Sequence, residues 1–122
     1  MKSMATIFVL IVTALHVWFL ILEMFLWTKP IGLKIIGQSR EKANVTAVLA
    51  DNQGLYNGFL AAGLLLSFIL SDVGTALTFR VFFLSCVIVA GVYGAATAHK
   101  KIFFMQALPA LIALALMLIS SP

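Results

Sequence analysis

Charge is scarce in this chain: Asp, Glu, Lys and Arg make up only 10% of its 122 residues, against roughly a quarter in soluble domains. A surface so poor in charge cannot solvate a globule of this size, and 63% of the residues are hydrophobic. Lipid, and not water, has to be the main solvent. Cysteine is nearly absent as well. The lone Cys86, within the apolar run from Val81 to Ala90, excludes an intrachain disulfide framework and a thiolate zinc cluster, and reads as a small buried hydrophobe. Acidic residues number four against eight Lys and Arg. The basic residues fall almost wholly in connecting segments, with no basic stripe and no interleaved aromatics, which excludes nucleic acid as a partner. They mark orientation in a bilayer.

What is present is a series of long apolar runs. Met4 to Trp27 gives 24 residues with one formal charge, Glu23, and at about 1.5 Å per residue it covers a hydrocarbon core of roughly 30 Å with some tilt. The opening Met1-Lys2-Ser3 resembles the start of a signal peptide. However, the stretch is too long and no small-x-small site precedes Lys29-Pro30, so it is expected to stay as the first span. Thr28 to Ala50 holds Lys29, Lys34, Arg40 and Lys42, with Pro30 and Gly32 stopping the first helix. This is the main extramembrane loop. From about Ser39 the residues favour helix again, so the second span, from about Asp51 to Leu70, is expected to project beyond the bilayer before crossing it. Ser71-Asp72-Val73-Gly74 then predicts a tight reversal. The third span runs from about Ala76 to Ala98, with Arg80 near its start and able to snorkel. After the basic turn His99-Lys100-Lys101, the fourth runs from about Ile102 to Ser120. The expected fold class is all-α, an integral-membrane four-helix transmembrane bundle, with residues 1–122 forming a single domain.

The long loop and the basic turn together hold six Lys and Arg, whereas the N-terminus and the second connection hold Lys2 and Arg80. The side with six is predicted to be cytoplasmic, which puts both termini outside. Helices in lipid associate through close backbone approach at small residues. Gly54, Gly58 and Ala61 in the second span, and Gly91, Gly94, Ala95 and Ala98 in the third, supply such faces. They also exceed what one bundle needs, which predicts a homo-oligomer.

Polar groups are costly in hydrocarbon and have to face a partner or a water-filled cavity. In the first span His16 and Glu23 are seven residues apart, which places them within roughly 20° of one another on an α-helix but about 10 Å apart along it. A bridging water, ligand or other residue would have to link them. In the second span Asn52, Gln53, Tyr56 and Asn57 fill an arc of about 140°, with Gly54 and Gly58 expected on the opposite side. All of these, with Tyr93, Thr97, His99 and Gln106, fall towards one leaflet, while the other half offers little beyond Thr6, Ser67 and Arg80. The asymmetry points to a polar cavity open to the cytoplasm and capped by the long loop. The alternative is an interhelical hydrogen-bond network that serves only packing. Glu23 stands apart, because a carboxyl at that depth suits proton exchange or the holding of a cationic ligand. No His-x-x-x-His or Glu-x-x-His pair is present, so no metal is expected, and nothing names a cofactor.

The segments Leu22-Glu23-Met24-Phe25-Leu26-Trp27-Thr28 and Asn52-Gln53-Gly54-Leu55-Tyr56-Asn57-Gly58-Phe59-Leu60-Ala61-Ala62-Gly63-Leu64, with His16 upstream, resemble the pattern of a family of small bacterial membrane proteins known as domain of unknown function 1304. The resemblance covers nearly the whole chain, with four spans in the same order. It implies a bacterial inner membrane and brings no established reaction. The small multidrug resistance transporters are similar in length and in having a carboxylate in the first span, though the residues around that carboxylate are not found here. The membrane-associated glutathione enzymes are similar in size and in a polar second helix after a basic loop, where Arg40, Lys42, Asn52 and Tyr56 would be the residues to hold an anionic thiol. Their Arg, Asn and Glu motif is absent. Both are likenesses of architecture alone.

The expected function is therefore binding of a small lipophilic or polar molecule in a cytoplasm-facing pocket between spans one and two. Glu23, Asn52, Gln53, Tyr56 and Asn57 would line it, with His16 deeper. The alternatives are proton-coupled transport through Glu23, a membrane enzyme, or an accessory subunit without a ligand.

Overall fold

The computed structural model of the protein describes residues 2–120. Among the described residues every regular element is helical. Helix α1 spans Lys2–Ile21 and passes directly into a π-helical turn, Leu22–Leu26. A short helix α2 follows at Pro30–Ile36, then α3 at Arg40–Ile69 and α4 at Val73–Thr97. A second π turn, Phe103–Ala107, leads into α5 at Leu108–Ser120. Three of these stretches, Lys2–Leu26, Val73–Thr97 and Phe103–Ser120, are long and apolar enough to cross a membrane. The fourth long helix, α3, has 30 residues and at about 1.5 Å per residue is longer than a bilayer core is thick. Its mean hydropathy is lowered by Asp51, Asn52, Gln53 and Asn57, which lie together near its middle. Large apolar side chains such as Phe25, Ile69, Phe82 and Val89 are more than half exposed, which suits helices with lipid as their surroundings.

Local chemistry sets the helix boundaries. Residues 28–50, expected as a loop, include α2, because Pro30 starts a helix as readily as it ends one. It occupies the first turn, where its missing N–H has no partner to lose. Gly37 closes α2 in the left-handed conformation (φ 76°) and donates its N–H to Leu33 O at 2.8 Å. Ser39 then caps α3, its hydroxyl accepting from Lys42 N at 3.1 Å. The reversal before α4 is tighter than expected. Asp72 serves as its N-cap, with Oδ2 accepting from Thr75 N at 2.8 Å and from Thr75 Oγ1 at 2.7 Å, and α4 begins at Val73 instead of about Ala76. The second π turn has a covalent cause. Leu108 donates back to Phe103 O, and the next residue, Pro109, has no N–H to continue the α-helical ladder.

The described chain divides into two compact units, residues 2–15 with 60–120, and His16–Phe59. In the first, Val9 and Val12 of α1, Leu64 of α3, Leu84 and Val87 of α4, and Ala113 of α5 are fully buried in one apolar cluster. Small residues permit the approach, as the sequence predicts. A Cβ on Gly91 would lie 2.5 Å from Ala107 N, so α4 and the second π turn are in backbone contact. Gly94 faces Ile102, and the Phe83 ring lies against Gly63.

In the second unit the end of the first apolar helix packs on the first half of α3. A Cβ on Gly54 would sit 2.6 Å from Met24 Cγ and 3.1 Å from Glu23 Cβ, and one on Gly58 would sit 2.6 Å from Leu20 Cδ1. Trp27 donates through Nε1 to Thr46 Oγ1 at 3.0 Å, and Arg40 Nη1 donates to Thr28 O at 3.2 Å. These two bonds fasten the helix ends across the intervening α2.

Candidate polar site at Glu23 and Asn57

Glu23 sits inside the first π turn. A π turn holds one more residue than an α turn and so moves later side chains off the helical stripe that would align Glu23 with His16. Such turns are frequent at functional sites. The Glu23 carboxylate is half-buried and accepts from Asn57 Nδ2 at 2.5 Å. Asn57 itself is buried, 5% exposed. Among the described residues no Lys, Arg or His forms an ion pair with Glu23, so its polar partner is the Asn57 amide.

Asn57 reaches Glu23 because it shares a face with the glycines. Gly54 and Gly58 face the first helix, opposite Asn52, Gln53 and Tyr56 as expected, while Asn57, at the edge of the amide arc, falls on the glycine side. Asn57 is three residues after Gly54 and one before Gly58, which on an α-helix puts it only about 60° from Gly54. The glycines bring the two backbones close, and Asn57 meets the carboxylate at the edge of that contact. Asn52, Gln53 and Tyr56 lie elsewhere on α3 and are exposed, Tyr56 with its ring edge-on to Phe59. The structure thus brings Glu23 and Asn57 together and leaves Asn52, Gln53 and Tyr56 outside their contact. His16 is fully buried, with the Phe19 ring edge-on at 5.2 Å between centroids.

Thr97 and His99, which the sequence groups with these residues, make local hydrogen bonds. Thr97 Oγ1 donates to Tyr93 O at 2.8 Å, His99 Nδ1 accepts from Lys101 N at 3.1 Å, and Tyr93 is 70% exposed. Such bonds satisfy side chains without building a cavity.

A second polar arrangement, at the helix ends that are poor in polar residues by sequence, lies in the first unit. A cavity of about 430 Å³ is lined by Lys2, Thr6, Ser67, Arg80 and Ser120. The signal that could have found it is weak: five polar residues near four different helix ends, each unremarkable in its own segment.

The family model described as "Protein of unknown function (DUF1304)" matches residues 10–118. The chain belongs to this family. The matched region includes Glu23, Asn57 and every described helix except the first turns of α1 and the last residues of α5. No curated protein and no solved structure matches the chain.

Proposed function

We propose that the chain is a four-span protein of the bacterial inner membrane that binds a small molecule at the carboxylate and amide of Glu23 and Asn57, on the cytoplasmic side. The observation that carries this reading is a carboxylate held within an apolar helix by one neutral donor, with no cation beside it among the described residues. A carboxylate kept at that depth only for packing gains little, since an amide would serve equally well. One that accepts a single bond keeps acceptor capacity for a cationic or hydrogen-bonding ligand. In this reading α3 is the fourth span, crossing from about Asp51 onwards, and its amide-rich turn lies at the cytoplasmic boundary. His16 lies deeper along the first span. Asn52, Gln53 and Tyr56 are exposed on α3, and in a bilayer their hydrogen-bonding groups require partners. A second copy of the chain, packed on that face, would supply them and would make the binding protein a homo-oligomer.

The experiment is a thermal-shift screen of the purified protein in mild detergent with small organic cations and neutral polar metabolites. A compound that stabilises the wild type and neither Glu23→Gln nor Asn57→Ala, with both variants folded and inserted, supports the reading. Equal stabilisation of all three proteins overturns it. Proton-coupled export is the second reading, favoured by the same unpaired carboxylate. Its test is pH-gradient-driven movement of tetraphenylphosphonium in vesicles, which Glu23→Gln should abolish.

A further inference from the structure

The cavity in the first unit is lined by two cationic side chains. Lys2 opens α1 and Arg80 lies in the second turn of α4, and both line the same space with Thr6, Ser67 and Ser120. No Asp or Glu among the described residues lines it. The nearest acidic residue in sequence, Asp72, is occupied by both donors of Thr75. Two positive side chains at the edge of an apolar bundle repel one another and require a counter-charge.

Arg80 is already positioned for one. Its Nε donates to Ser67 Oγ at 2.9 Å, its guanidinium carbon lies 4.1 Å from the centroid of the Phe68 ring, and Ser67 is itself fixed by donating to Leu64 O. Ser67 is 1% exposed, so this anchor is buried. One edge and one face of the guanidinium are thereby taken, and neither Nη group has an acceptor among the described residues. Four Nη hydrogens, the Lys2 ammonium and the Thr6 hydroxyl remain as donors around one cavity. Ser120 turns its own hydroxyl hydrogen to Leu116 O and offers only an acceptor. The lower walls are apolar, formed by Val9, Phe68, Leu77 and Met117.

We propose that this cavity binds a phosphate group, carried by an anionic amphiphile whose apolar part lies along those walls. A lone carboxylate would be satisfied by the Arg80 fork. A phosphate has oxygens enough for the fork, the ammonium and the hydroxyl together. The site is separate from Glu23 and Asn57, and its test does not depend on them.

Native mass spectrometry of the purified chain with phosphatidylglycerol and phosphatidylcholine of identical acyl chains tests the proposal, alongside thermal shifts with inorganic phosphate. Phosphatidylglycerol should be retained in preference to phosphatidylcholine, and Arg80→Gln should lower that preference about tenfold, the loss expected for a charge-assisted pair. Lys2→Gln and Thr6→Val should each lower it to a smaller extent. Both keep Arg80 and its anchor, so they decide the matter if Arg80→Gln fails to fold. Stabilisation by inorganic phosphate without lipid preference, lost in Lys2→Gln, would support the phosphate site and identify a soluble source. Equal retention of the two lipids and no response to phosphate would overturn the proposal, as would a preference unchanged in Lys2→Gln and Thr6→Val.

Discussion

Asn57 and Glu23, 34 positions apart in the chain, are joined by a hydrogen bond from Nδ2 to Oε1. It is the side-chain bond that ties the π turn of the first apolar helix to α3. Asn57→Leu would leave a half-buried carboxylate without its donor, and an unmet buried acceptor costs about 1–3 kcal/mol. Glu23→Gln keeps the shape and a carbonyl to accept the bond, and should cost less. Unfolding in detergent of the two single variants and the double variant measures the coupling, expected at about 0.5–3 kcal/mol for residues in contact. Additive effects would show that the bond contributes nothing to stability.

Gly91 should tolerate no side chain. A Cβ there meets backbone, Ala107 N at 2.5 Å and Ala107 Cα at 3.0 Å, and neither atom can rotate away. Gly91→Ala is expected to destabilise by about 1–3 kcal/mol, the usual cost of overpacking. Gly94→Ala would meet Ile102 Cγ2 at 2.9 Å, a side-chain methyl and not backbone, and should cost less. Gly74→Ala, with nothing nearer than Asp72 Oδ2 at 3.5 Å, is the neutral control. Equal melting temperatures for Gly91→Ala and Gly74→Ala would refute backbone contact between α4 and the second π turn.

Asp72 predicts a pH dependence with a defined sign. The Thr75 hydroxyl and backbone N–H hold its carboxyl below the usual range. A depressed folded value means that the capping contribution is fully present above the ordinary carboxylate pKa and is lost as pH falls through the folded one. Asp72→Ala should therefore lower thermal stability by a constant amount from neutral pH down to mild acid. The difference from the wild type should narrow only in strong acid. A gap that closes between pH 6 and 8 (roughly where a histidine titrates) would assign the effect to another group.

Much of the helical architecture was legible in the sequence, because the apolar runs are long and the polar punctuation between them is sharp. Observed helices begin at Lys2 and Val73 where the runs predict Met4 and Ala76, and the early start of α4 follows from reading Asp72 as a turn residue when it is a cap. Helix α2 is hidden for a similar reason, since Pro30 and Gly32 read as breakers whereas Pro30 is an N-terminal residue of the helix. Composition could place Glu23 and Asn57 in one leaflet. It could not pair them, because the pairing depends on how α3 is rotated, and Gly54 and Gly58 set that rotation by close contact with Leu20 and Met24. The same rotation leaves Asn52, Gln53 and Tyr56 exposed. Helical periodicity ranks faces within one helix only, so the convergence of Lys2, Thr6, Ser67, Arg80 and Ser120 on one cavity lay outside its reach.

The last prediction is topological. With four spans, Lys29, Lys34, Arg40, Lys42, Lys100 and Lys101 would flank one face of the membrane and Lys2 and Arg80 the other. Short loops rich in Lys and Arg stay in the cytoplasm, so both termini should be outside if α3 crosses the bilayer as the fourth span. The crossing of α3 is the step most open to test, because its amide-rich turn lowers its mean hydropathy while its 30 residues still give about 45 Å of helix, ample for a core of roughly 30 Å. If α3 crosses, cysteines placed at residue 35 and residue 100 should both be shielded from a membrane-impermeant maleimide in intact cells, and one at residue 72 should be labelled. If α3 lies along the surface, three spans remain and the two termini must fall on opposite sides. Residues 35 and 72 would then share one labelling state and residue 100 would show the other. The second pattern would refute the four-span topology, and labelling at residue 35 would refute the cytoplasmic placement of the Glu23 site.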